Sequence, residues 1–104
     1  MASSSEAFDK FETWKNSKTP LRVTLIVGGK TGDVLVGTII ATDSEASHVG
    51  ISNRLVMHSF AGFDVEDAEF SIEDSRLVAT RNESDWIIFE EVAELSPIWT
   101  HSVR

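Results

Sequence analysis

The chain contains no cysteine. That one absence removes disulfides, thiolate zinc sites and cysteine nucleophiles together, and it fits a reducing compartment. Long hydrophobic runs are also missing. No segment approaches the roughly 20 apolar residues of a membrane-crossing helix. The opening "MASSSEAFDKF" has no apolar stretch of signal-peptide length. The expectation is a cytoplasmic protein with no membrane contact. Cations are scarce: 9 Lys and Arg face 17 Asp and Glu, for a net charge of −8. Phosphate backbones are bound by clustered Lys and Arg that displace condensed counterions. Lys10, Lys15, Lys18, Arg22 and Lys30 are the only cations in the first half, so nucleic acid is not an expected partner.

The motifs of common catalytic and cofactor chemistry are absent or incomplete. Gly29-Lys30-Thr31 matches the last three residues of a phosphate-binding loop. That loop needs a glycine five residues before the Gly-Lys and a helix starting at the Lys, whose free amides cradle the phosphates. Here the earlier position is Thr24, inside a strand pattern, and Gly32-Asp33 and a β-branched run follow. A hairpin turn that uses glycine at positive φ is the expectation. The segment "DVEDAEFSIED" offers Asp64, Glu66, Asp67, Glu69, Glu73 and Asp74 but lacks the order and central glycine of a calcium loop. It is read as a solvated loop and strand face. His48, His58 and His101 have no metal-ligand spacing, and no Gly-x-Ser-x-Gly elbow occurs. Glu90-Glu91 could serve acid–base chemistry, but nothing in the sequence marks a cleft around the pair. No catalytic residue, cofactor or metal is assigned, and the protein is read as not an enzyme.

What is present is regular. Ala7, Phe8, Phe11 and Trp14 recur at helical spacing. Ser3 followed by Glu6 fits a capping box. Lys15 and Lys18 suit the far end of the helix dipole, and Pro20 stops continuation. These signals predict a helix from about 4 to 17 that packs its stripe on something else, being too short to stand alone. Period-two alternation then begins: Leu21, Val23, Leu25 and Val27 share one face, with Arg22 and Thr24 on the other. "GGKTGD" reads as a turn and "DVLVGTIIATD" as a strand. Gly37 inside it marks a bulge or bend where another backbone comes close.

"HVGISNRLVMHSF" reads either as one bent strand or as a hairpin about Asn53-Arg54. "AGFDVEDA" reads as a loop. "AEFSIED", "RLVATR" and "DWIIFEEV" read as strands, carrying the strand region to about residue 92 before a tail over 93–104. A helix followed by many short strands predicts a single mainly β domain over 1–104. It would be a small, strongly bent barrel or rolled antiparallel sheet, with the N-terminal helix over one end.

Gly37, Ile39 and Asp43 stand at the spacing of the first motif of the Sm-like small barrels, and the region from Leu21 to Ile51 resembles the first half of that family. Val49 and Ile51 continue the pattern one position late. Ser47 and His48 stand where the family has its turn asparagine. The family's second motif, an Arg-Gly pair, is absent: none of Arg22, Arg54, Arg76, Arg81 and Arg104 precedes a glycine. The resemblance implies a bent barrel after a helix, and ring-like oligomers. The missing asparagine and Arg-Gly segment take away what the family uses for its RNA pocket.

The aromatic and apolar surplus points to association. Trp86 and Ile88 lie opposite Ile87 and Phe89 on the last strand, leaving it apolar on both faces. Ile98 and Trp99 follow Pro97 and must either fold back or enter a neighbour. Trp86, Ile98 and Trp99 are therefore the candidate interface residues. The leading expectation is a non-enzymatic interaction or assembly module, self-associating or bound to a protein partner. Alternatives are an Sm-like RNA-binding protein, and a small hydrolase or isomerase built on His58 and nearby carboxylates.

Overall fold

The computed structural model describes residues 2–100. Helix α1 (Ser4–Ser17) begins with the predicted capping box. The Glu6 amide donates to Ser3 Oγ at 3.1 Å, and the Ser3 amide donates to Glu6 Oε1 at 3.2 Å. It stops at Lys18, whose φ of 54° is left-handed and whose amide donates to Lys15 O. That turn satisfies carbonyls which would otherwise end the helix unpaired. Ala7, Phe8, Phe11 and Trp14 are its buried stripe.

Seven strands follow: β1 (Leu21–Val27), β2 (Lys30–Asp43), β3 (His48–Ser52), β4 (Ala61–Asp64), β5 (Glu69–Ile72), β6 (Arg76–Thr80) and β7 (Trp86–Glu91). They form one antiparallel sheet in the order β4-β3-β2-β1-β7-β6-β5. Three details differ from the sequence expectation. The first turn is only Gly28-Gly29, and Lys30 to Asp33 belong to β2, because pairing with β1 outweighs their turn-forming character. Ala61–Asp64 is a strand rather than a loop, with Phe63 facing the core opposite Val49. The segment between β3 and β4 is neither a continuous strand nor a tight hairpin, but a loop that runs from Asn53 to Phe60.

The sheet rolls because β2 changes partners. Its residues up to Gly37 pair with β1, and those from Thr38 onward pair with β3. A register shift between Ile39 and Ala41 adds a bulge just beyond the switch. At Gly37 a Cβ would stand 2.6 Å from Ser52 O and 2.8 Å from Ile51 Cγ2, so β3 can cross there only against a glycine. The extent of the bend is measured by Phe63 on β4 and Phe89 on β7. Their strands are four steps apart, which would be about 19 Å in a flat sheet. Their ring centroids lie 6.1 Å apart, edge to face.

The roll stays open, since β4 and β5 are its two ends and do not pair. Helix α1 packs against β2 and β5 and fills the mouth. Phe11 meets Phe89 at 5.1 Å. Trp14 Nε1 donates to Glu91 Oε2 at 2.9 Å, and Lys10 Nζ donates to Asp74 O at 2.7 Å. The helix thus covers the interior, as its stripe requires.

A buried polar clamp secures the partner switch. Where β3 leaves β2, the edge at Val34–Val36 needs another partner. Residues 98–100 supply it: the Val36 amide donates to Ile98 O at 2.8 Å, and the Thr100 amide donates to Val34 O at 3.0 Å. Asn53 is the buried polar residue of the core. Its Nδ2 donates to Val36 O and to Ser96 O, both at 2.7 Å, and its Oδ1 accepts from the Leu55 amide at 2.8 Å. One amide side chain ties the pivot of β2, the β3–β4 loop and the returning tail together.

Candidate interaction surface

The inner face of the roll is consumed by the core. Leu21, Val23, Leu35, Leu77, Ala79, Ile87 and Phe89 all point into it. Alternation sends their neighbours outward, and the strand pairing sorts these into three rows. Val36, Arg22, Glu90 and Arg76 lie side by side in the first. The second runs Val34, Thr24, Ile88, Val78. The third holds Ile26, Trp86 and Thr80. A sheet with one face in water normally shows polar residues there. This one shows a charged row followed by two apolar ones, and Thr24, Ile26, Val34, Val78 and Ile88 are only half-buried.

Two of the three sequence-predicted residues come to this face. Trp86 keeps 37% of its surface exposed and donates Nε1 to Asn82 O at 3.1 Å. Beside it a groove of about 150 Å³ runs between Ile26, Val27 and Asp85. Ile98 lies opposite Val36 in the tail pairing, which extends the first row by one residue, and is 45% exposed. Trp99 goes elsewhere. It bridges to Leu35, an inward residue, and packs half-buried against the core. The tail folds back through Trp99 and leaves Ile98 outside.

Sequence reasoning turned Arg22 outward but missed its pairing with Glu90 on this face. Arg22 grips Glu90 across β1 and β7, with Nη2 at 2.9 Å and Nε at 3.0 Å from the same Oε1. Alternation alone turns both outward, but only the long-range register makes them neighbours. A second apolar exposure was also hidden. In the β3–β4 loop Leu55, Met57 and Phe60 are exposed, and the Phe60 ring covers Gly50 at contact distance. No local pattern distinguishes that loop from a strand.

The other sequence candidates do not converge on a reaction centre. The Gly28-Gly29 turn has φ of 61° and 77°. A phosphate cradle would leave such amides free for an anion, but here they are taken: Gly28 donates to Asp85 Oδ1 at 3.0 Å, and Gly29 to Ser84 O at 2.9 Å. The Gly28 amide, with Asn82 Nδ2 and the nearby Arg81, holds the Asp85 carboxyl below its usual pKa. His58 sits exposed in the β3–β4 loop at φ 58°, not in a strand. His48 lays its ring on Gly62. His101 and Arg104 lie outside the described residues. Glu90 and Glu91 point to opposite faces, one to Arg22 and one to Trp14. Among the described residues no group of three His, Asp or Glu is placed to hold a metal ion, and no helix is long and apolar enough to cross a membrane.

The residues behind the Sm-like resemblance have mechanical work. Gly37 is the pivot, Ile39 is core, and Asp43 Oδ1 accepts the amides of Glu45 and Ala46 to close the β2–β3 turn. Comparison with known proteins finds no matching family model, no matching curated protein and no matching solved structure.

Proposed function

We propose that the protein is a non-enzymatic interaction module whose partner is a second copy of itself. The observation that carries this reading is the outward face of β1, β7 and β6, where Trp86 and half-buried aliphatic side chains meet water on a structured sheet. Apolar surface gathered on one rigid face favours association, because burying it releases ordered water. A homodimer is the commonest way for a small soluble domain to cover such a face. A cysteine-free chain suits a cytoplasmic setting. The Sm-like likeness enters as an architectural analogy, supported by the roles of Gly37, Ile39 and Asp43 in shaping the roll.

Sedimentation velocity tests the reading. The wild-type chain is expected to show a concentration-dependent dimer across the micromolar range. Trp86→Ser should move that equilibrium toward monomer. Although it lowers the melting temperature by losing the bond to Asn82 O, the variant should still melt as a folded chain, since Trp86 lies outside the core. A single monomeric species at every concentration overturns it.

A further inference from the structure

Resting on that reading, we infer that the two copies meet face to face about a two-fold axis that runs along the strands, midway between β1 and β7. Arg22 of each copy then faces Glu90 of the other. The chain as a whole carries −8, so two copies repel over most of their surfaces. The first row of the outer face is the exception: it holds Arg22, Glu90 and Arg76, two cations and one anion. Within it Arg22 and Glu90 are neighbours of opposite sign, so a second copy can set its own pair against them with unlike charges opposed.

Symmetry then selects the axis. A two-fold interface places each patch on itself. Rotation about an axis across the strands would lay all three charges of one copy over the Ile26–Trp86 row of the other, desolvating Arg22 and Glu90 as well as Arg76 against apolar side chains. An axis along the strands sets only Arg76, at the end of its row, over the buried Val36. Rotation about an axis along the strands keeps every row in register and exchanges β1 with β7. Thr24 then faces Ile88, and Ile26 faces Trp86. Val34 of β2 faces Val78 of β6. Arg22 faces Glu90 twice, which turns two intrachain ion pairs into a four-charge cluster. The Arg22 side chain is 48% exposed and that of Glu90 30%, so each has surface left to offer a second molecule. The strands of the two sheets stay aligned, as in face-to-face β packing.

The test uses charge reversal in the full chain, read by sedimentation velocity with thermal melts as a folding check. R22E places four carboxylates at the centre of its homodimer, and E90R places four guanidinium groups there. Each variant alone should dissociate at least about tenfold more readily than wild type, since opposed like charges act against an interface strongly. Mixed together, the two should form a heterodimer. The carboxylate introduced by R22E then meets the guanidinium introduced by E90R, and the Glu90 kept by the first variant meets the Arg22 kept by the second. Neither variant restores its own intrachain pair, so rescue by mixing reports contacts between molecules. A dimer that survives either reversal, or a mixture that stays monomeric, overturns this geometry and leaves self-association standing. A monomeric wild type overturns both.

Discussion

The chain turns sharply at two glycine sites, and they are secured in opposite ways. At the pivot of β2, Gly37 is needed for space, since a side chain there would strike the backbone of β3. At the tip of the β1–β2 hairpin, Gly28 and Gly29 are needed for their torsions, while a Cβ on either would meet nothing within 4 Å. Each site also has an Asx side chain as its clamp. Asn53 is buried and neutral, and joins three segments. Asp85 is charged, and joins two turns at the surface. The difference teaches where the fold is rigid: the pivot is held by exclusion and by hydrogen bonds in a dry core, the tip by one carboxylate and one backbone bond at the surface.

The largest effect expected from breaking this contrast is at the pivot. Gly37→Ala should cost about 3 kcal/mol or more, because the nearest obstructing atom, Ser52 O, is backbone and can move only if β3 moves. Gly28→Ala, which suffers only from a left-handed residue, should cost about 1 kcal/mol. Urea denaturation of both variants measures the gap, and equal losses would erase the distinction between space and torsion.

Second in size is the buried clamp. Asn53→Ala leaves the Val36 carbonyl, the Ser96 carbonyl and the Leu55 amide without their partner, and costs about 1–3 kcal/mol, set by the Val36 carbonyl, whose bond alone of the three is fully buried. Asn53→Asp should be at least as damaging despite its shape, since a carboxylate presents oxygen to two carbonyl oxygens. Amide hydrogen exchange would locate the effect at Val36 and along residues 96–100. Loss confined to the β3–β4 loop would contradict the clamp.

The smallest effect is at the tip, and it depends on pH. Asp85 has a folded pKa below its unfolded value, so its contribution is fully present above the ordinary carboxylate range. It fades as pH falls through the lowered folded value. Following the Gly28 amide by NMR down an acid titration should show this transition, and Asp85→Asn should abolish it. A Gly28 shift that titrates at the ordinary Asp value would mean that the contact is not made in solution.

Legibility followed the range of the interactions. The helix can be read because its signals are local: Ser3 reaches Glu6 three residues away, and the stripe from Ala7 to Trp14 has one period. The alternation on β1 and β7 is equally plain, and so is the apolar excess that singles out Trp86. Gly37 announces a bend, though not which strand crosses there. Ala61–Asp64 reads as a loop because two of its residues, Gly62 and Asp64, are common in turns, whereas its strand character comes from pairing with β3. Asn53 can be read as a turn residue, but its clamp gives no sign, since the two carbonyls it binds stand 17 and 43 residues away. The Arg22–Glu90 pair spans 68 residues and is hidden for the same reason. Trp99 is legible as a residue needing cover, but whether its own fold or a neighbour provides that cover is a matter of register.

The partner switch at Gly37 also has a consequence in time. During synthesis β1 and β2 emerge early, with both outer edges of their hairpin unpaired. One edge waits for β7, and the other, from Val34 to Val36, waits for residues 98–100. The roll can therefore grow in the order of the sequence on one side, through β3 and β4, but on the other side β1 must wait for β7. Its central strands are the first made and among the last completed, so a nascent chain short of β7 carries two adhesive edges, and one short of residue 100 still carries one, that are covered in the finished protein.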